Sequence, residues 1–368
     1  MARLSRAQTQ ERNRAKVLAA ARDEFAERGF RDAKIDDIAE RAELTRGAVY
    51  SNFPGKRALY FAVLADAAER GVAPASGQPG STAREALGAF ARAWVTRQPI
   101  DADLPGEEHG AARIGMDLMP EIQADQRIRQ PFLQLTRLRA LLLAVAVERL
   151  SRVGAPRNAL QPRSVRLAEI VLTVLHGAGT LAAAAPGFGE PFDVISACER
   201  LAGLELNDWW SPPTASPPVR ATDEPWPHQE VRDLLRGTRV GFAGDGVLVV
   251  VGLHRAGAVE EVLRAVAEDA QLTVALVTGQ PHELMPLTRL VIVEVAGCLR
   301  QAFPEWALPR LRLVCDESGA LAAAAGVPAI SDGTEAAVRI ASGRIVARAD
   351  GFGAGYAVAA APVDSVAL

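Results

Sequence analysis

Apolar side chains recur at helical spacing through the first two hundred residues, and that spacing sets the elements. Val17, Leu18, Ala21 and Phe25 share one face of a predicted helix over Gln10–Arg28, which Gly29 ends. Ile35, Ile38, Ala39 and Ala42 stripe a second short helix, with Asp36 and Asp37 near its positive end. Thr45 is a good N-cap for a third, broken at Asn52–Gly55, and Lys56–Arg70 reads as a fourth, packed through Leu59, Tyr60, Val63 and Leu64. After a hinge rich in Gly, Pro and Ser (Gly71–Gly80), helices are expected over Thr82–Arg97, Asp125–Val153, Arg163–Ala185 and Phe192–Leu206.

Six prolines fall within the 17 residues Ser211–Pro227, which reads as a semi-stiff linker. Beyond it the pattern alternates. Strands are expected at Gly246–Leu253, Leu272–Thr278 and Leu311–Val314, and helices at Ala258–Ala270, Leu287–Phe303 and Ser318–Ala325. A hairpin, Ala336–Ile340 and Arg344–Ala349, closes around Ser342–Gly343. The expected architecture is therefore multidomain: an all-α head (1–70), an all-α body (80–210), the linker (211–227) and a small α/β domain (228–368).

Composition narrows the function. With 49 % apolar and 23 % charged residues the chain is globular material. No unbroken apolar run approaches the length of a membrane span, and no apolar stretch of a secretory signal follows the basic start, so a cytoplasmic place without membrane contact is expected. Cys198, Cys298 and Cys315 are scattered and the five histidines dispersed, so neither a metal nor any other cofactor is expected. The formal net charge is −3, yet residues 1–60 carry 13 Lys+Arg against 9 Asp+Glu, or +4, leaving −7 for the rest. A basic head on an acidic body suits a protein of which one face meets phosphate.

The head's third helix carries small or hydrogen-bonding side chains: Thr45, Arg46, Gly47, Ala48, Tyr50, Ser51 and Asn52. Set in a major groove, Arg46 could donate to guanine, while Thr45 and Tyr50 suit phosphate. Lys56, opening the fourth helix, would add its charge to free N–H groups at one phosphate. The stretch IDDIAERAELTRGAVYSNFPGKRALYFAVL resembles the TetR family of transcriptional regulators, keeping Ile38-Ala39, Ala42, Thr45, Gly47, Tyr50, Phe53, Lys56 and Leu59 at the family's spacings. Phe25 and Gly29-Phe30 fit upstream. Two positions depart: Glu43 stands where the family usually has glycine, and Ala33 where a hydroxyl commonly caps the second helix.

The resemblance implies a ligand-responsive repressor that binds double-stranded operator DNA as a homodimer, joined through the helices Arg163–Ala185 and Phe192–Leu206. It also implies a small-molecule effector, chemically unidentified, between the preceding helices, where Phe90, Trp94, Met116, Met119, Phe132 and His176 are candidate contacts. Residues 226–368 are additional to such a chain. Their order resembles the thioredoxin-like fold, with a tail most similar to peroxiredoxins, but Leu253-His254-Arg255-Ala256-Gly257 stands where that chemistry needs a cysteine. The expectation is a non-catalytic accessory domain and no enzyme. The alternatives are a redox-responsive regulator using Cys298 or Cys315, or a redox enzyme whose α/β domain carries the activity.

Overall fold

The computed structural model describes residues 5–71, 78–97, 114–152, 163–185, 187–227, 229–242, 245–267 and 270–362. Arg3 of the basic arm, residues 72–77 of the expected hinge and Val153 lie outside the described residues.

The head follows the apolar spacing closely. Helix α1 (Arg6–Asp32) starts on a capping box, with Ser5 Oγ accepting from Gln8 N and Gln8 Oε1 accepting from Ser5 N. Gly29 interrupts it as expected, with non-helical φ 73° and ψ 172°, a short turn carries on to Asp32, and Phe30 N donates to Asp117 Oδ2 at 2.8 Å. Helix α2 (Ile35–Arg41) has no side-chain cap, as the alanine at 33 leads one to expect. Helix α3 (Arg46–Asn52) is capped by Thr45, and α4 (Lys56–Arg70) has the expected bounds. Eight consecutive residues of α4, Ala58–Ala65, are buried, so this helix is sheathed all round rather than on one stripe.

The body comprises α5 (Ala83–Val95), a short α6 (Leu118–Ala124), α7 (Gln126–Ser151), α8 (Val165–Ala184) and α9 (Pro191–Leu201). By length and composition α8 could cross a membrane, although its sequence contains no unbroken apolar run. In the structure α8 packs on α5, α7 and α9.

Part of the expected linker is sheet. Arg220–Pro225 forms β1, an edge strand antiparallel to β8 (Arg344–Asp350), so the α/β unit begins before residue 228. Proline is tolerated there because an outer strand has one row of unpaired N–H groups. Cross-strand ion pairs Arg220–Asp350, Arg344–Asp223 and Arg348–Glu224 hold β1 in place. The hairpin β2 (Gln229–Asp233) and β3 (Thr238–Phe242) was not expected from the sequence. The core strands β4 (Gly246–Gly252), β5 (Gln271–Val277) and β6 (Leu311–Cys315) are parallel, and β7 (Glu335–Ala341) runs against β4. The six-stranded order is β1-β8-β7-β4-β5-β6. The β7–β8 turn has Ser342 and Gly343 at φ 49° and 74°, the positive values a two-residue hairpin needs.

Helix α10 (Val259–Ala265) links β4 to β5, and α11 (Pro281–Ala302) links β5 to β6. Two short helices follow, α12 (Ala320–Ala324) and α13 (Ala354–Ala360). Helix α11 begins six residues before the expected Leu287, because Pro281 fits its first turn and Leu284, Met285 and Pro286 are buried. It packs on α4, α5 and α7 at once. One apolar cluster therefore runs from Val17 in α1 through the body to one face of the sheet, and a smaller one fills the other face.

Candidate nucleic-acid interface

Val49 anchors α3 in the head, 1 % exposed, and fixes which side of the helix faces out. Thr45, Arg46, Gly47, Tyr50 and Ser51 are exposed; Ala48 and Asn52 are half-buried. Thr45 Oγ1 accepts from Ala48 N at 3.2 Å, so its side chain is engaged in capping. Arg46 rests 5.6 Å from the Tyr50 ring centroid and pairs with Asp36 at 3.3 Å. Ser51 Oγ and Asn52 Nδ2 both donate to Ala48 O. This free convex face is continuous and has no apolar side chain larger than alanine apart from the Tyr50 ring.

Lys56 is placed differently from the expectation. Its Nζ donates to Arg31 O (2.9 Å) and Ala33 O (2.8 Å) and lies 4.7 Å from the Phe30 ring, so it closes the end of α1. The carbonyls at the end of α1, which lack helical partners, offer it two acceptors, and a phosphate would have to compete with them. Glu43 occupies the turn at φ 57°, a left-handed conformation that favours glycine. Its carboxylate takes a bond from Lys16 Nζ at 2.9 Å, which also holds it below the usual carboxylate pKa.

Two ion-pair clusters tie α4 to the α/β unit. Arg57 pairs with Glu283 of α11 (2.5 Å) and with Asp125 (3.0 Å). Glu69, near the other end of α4, receives Arg289 of α11 (2.7 Å) and Arg232 of β2 (2.9 Å). Burial pushes the Glu69 carboxyl up, but the two guanidiniums outweigh it and the net shift is downward. A cavity of about 250 Å³ lies beside this seam, lined by Arg14, Asn52, Pro281, His282, Glu317 and Ser318 among others.

Of the six candidate effector contacts, three meet. The Phe90 and Trp94 rings stack with centroids 6.0 Å apart, and His176 packs edge-on to Trp94 at 4.9 Å. Met119 and Phe132 are half-buried against the same core, whereas Met116 is 45 % exposed. The residue that organises the group was missed. Arg139 of α7, 2 % exposed, donates to Val291 O (3.0 Å), to Glu294 Oε2 (2.5 Å) and to His176 Nε2 (3.1 Å), and lies 5.4 Å from the Trp94 centroid. His176 Nδ1 donates to Leu172 O at 2.8 Å, so its Nε2 is a lone-pair acceptor and the ring is neutral. Burial and Arg139 lower its pKa to about 4. A single charge inside each of the apolar runs LRALLLAVAV and VIVEVAG was the available signal for Arg139 and Glu294.

The thiols are held protonated. Burial pushes Cys298 up to about 11 and Cys315 up to about 12. Cys298 Sγ lies 2.7 Å from Arg97 Nη1 and the residue is 1 % exposed. The turn after β4 is docked: Gly257 N donates to Gln134 Oε1 of α7 (2.9 Å), and Arg255 pairs with Glu335 (2.9 Å) under the Phe352 ring. Among the described residues no group of His, Cys, Asp and Glu could hold a metal ion.

Comparison with known proteins bears on the head. Residues 17–63 match the model described as "Bacterial regulatory proteins, tetR family". The chain is 45 % identical over 65 residues to the HTH-type transcriptional regulator SrpR of Pseudomonas putida, covering 18 % of this chain and 30 % of that protein. It is 41 % identical over 51 residues to the HTH-type transcriptional activator FasR of Mycolicibacterium smegmatis, covering 14 % and 23 %. The matches thus span less than a third of the length of either relative. Among solved structures, native NalD of Pseudomonas aeruginosa, a repressor of a multidrug efflux pump, aligns over 54 % of this chain and 99 % of its own at 20 % identity, with TM-score 0.34.

Proposed function

With a TetR-family helix-turn-helix domain at residues 17–63 as the premise, we propose that the chain is a homodimeric, sequence-specific regulator of transcription, a repressor released from double-stranded operator DNA by a small-molecule effector. The observation that carries this is α3: a helix locked by Val49 and Thr45 that turns Arg46, Gly47, Tyr50 and Ser51 to solvent on a basic head. Arg46 reads a guanine or phosphate once Asp36 releases it, and Thr45, Tyr50 and Ser51 set register on the backbone. Support for a dimer comes from Leu181 of α8 and Phe192 of α9, which are 50 % and 75 % exposed on adjacent helices. A two-fold pair would engage half-sites about 34 Å apart or a multiple of it.

The effector place in this reading is the Phe90–Trp94–His176 group, on the body side of α4. Support for a thioredoxin-like α/β unit comes from the order β8-β7-β4-β5, with β7 antiparallel to β4, and from helices after β4, β5 and β8. Its reactive corner, the turn after β4, has arginine and alanine for cysteine and is docked on α7. That favours an accessory module over an enzyme, and the raised thiol pKa values weigh against redox sensing.

Fluorescence anisotropy on DNA flanking the chain's own gene tests the reading. Tight binding that weakens steeply with salt, and about 10- to 100-fold with Arg46→Ala, is expected. Affinity equal to that for random DNA, unchanged by Arg46→Ala, would sink it. Transcription from the same DNA then decides repressor against activator.

A further inference from the structure

In the helical body Arg139 has the makings of an anion seat. Its guanidinium is 2 % exposed, stands 5.4 Å from the Trp94 ring centroid and is braced by the acceptor nitrogen of His176. All of these groups belong to the body. The anion comes from elsewhere: Glu294 of α11, 155 residues away in sequence, places its carboxylate oxygen 2.5 Å from Nη2. Arg97 reinforces α11 there, reaching Cys298 Sγ and the Glu294 carbonyl. A buried cation needs such a partner, because an unpaired one is far costlier than the pair. Two further observations point to a ligand seat. The buried indole N–H of Trp94, in a residue 3 % exposed, has no acceptor. The Glu294 side chain keeps 26 % of its surface in solvent, so the seat has an entrance.

We propose that Arg139 is a carboxylate-binding site of the body, filled in this chain by Glu294 as a tethered ligand, and that a free monocarboxylate with a short apolar tail competes for it. Resting on the regulator reading above, this names the effector class and makes the α/β unit its rival. When Glu294 is seated, α11 lies on α4 and the ion pairs at Arg57 and Glu69 hold the head. A free acid that replaces Glu294 takes the space that the Glu294 side chain fills beside Arg139 and leaves α11 with one anchor fewer.

Chemical rescue tests this in the full chain. Glu294→Ala should lower Tm by several degrees, and millimolar sodium propionate should restore at least half of the loss, against sodium chloride at equal ionic strength. Wild type, whose seat Glu294 already fills, should gain no Tm but should lose DNA affinity as the acid displaces Glu294, and Arg139→Met/Glu294→Ala should not be rescued. If Glu294→Ala does not fold in chloride, recovery of its folded state in propionate is the same readout, and failure in both salts overturns the proposal. Equal Tm in propionate and chloride for the folded variant, or rescue that persists without Arg139, overturns the proposal. Anisotropy of the wild type on its DNA in the same buffers separates the two readings. Specific DNA binding without rescue removes only the tethered ligand, whereas no specific binding removes the regulator.

Discussion

The two flanks of α4 are built on different principles. Toward α1–α3 it meets residues within about forty positions of itself, through aromatic edges such as Phe25 to Tyr60, 5.5 Å apart. Toward α11 it meets residues some 220 positions away, through buried apolar contact bordered by ion pairs at Arg57 and Glu69. The near flank builds the helix-turn-helix; the far flank packs the helix it stands on against the α/β unit. The helix that carries most of the contact between the head and the rest of the chain is thus held by the α/β unit as well as by the head itself.

Removing apolar bulk from the gripping side should have the largest effect. Leu287→Ala in α11, fully buried, is expected to cost about 3 kcal/mol, seen as a lower denaturation midpoint with an unchanged m-value. A loss below about 1 kcal/mol would mean that the α4–α11 seam is dispensable. Next comes its electrostatic border: Glu69→Gln takes the carboxylate from Arg232 and leaves Arg289 only Glu317 at 3.5 Å, and should cost about 1 kcal/mol. Because Glu69 lies outside α3, the variant should retain salt-dependent DNA binding while the free energy of unfolding drops.

A graded effect follows from His176. Its folded pKa, about 4, lies below the ordinary 6.5, so the unfolded chain takes up the proton first as pH falls. Its share of stability is complete above about pH 6.5 and is lost as pH falls toward 4. Arg139, Arg97, Glu294 and Cys298 surround this region, and Glu294, held above the usual carboxylate range by burial, gives the opposite slope. His176→Gln, which keeps an acceptor for Arg139, should flatten the descent between pH 6.5 and 4; an unaltered slope would assign it to other groups. The smallest effect is on the near flank. Glu43→Gly relieves the left-handed strain and gives up an exposed ion pair, for a small net gain read as a slightly higher Tm; a lower Tm would mean that the Lys16 pair outweighs the strain.

The near flank was legible and the far flank was not, for one reason: sequence separation. Helical spacing, the Thr45 cap and the Lys56 start are local signals, and the structure keeps them. Glu43 shows how far such reading goes, since the departure from glycine coincides with a positive φ. Lys56 shows its limit. The lysine position was right, but its acceptors at Arg31 and Ala33, some 25 positions back at the end of α1, are reached only in the folded head. Strand β1 was hidden because six prolines outweigh a short strand in any local reading, and only β8, 120 residues on, gives it a partner. Arg139 and Glu294 each stood out as one charge in an apolar run; their pairing belongs to the tertiary fold.

The sheath around α4 has a consequence for how the protein is made. Ala58–Ala65 are buried on every side, and one of those sides is α11. Arg57 leaves the ribosome 226 residues ahead of Glu283. At ordinary elongation rates that is a wait of about 10–45 s, during which the nascent helical head carries a bare apolar flank. Its completion is tied to Pro281–Ala302, made more than 200 residues later, and until then that flank is a natural place for a chaperone to hold.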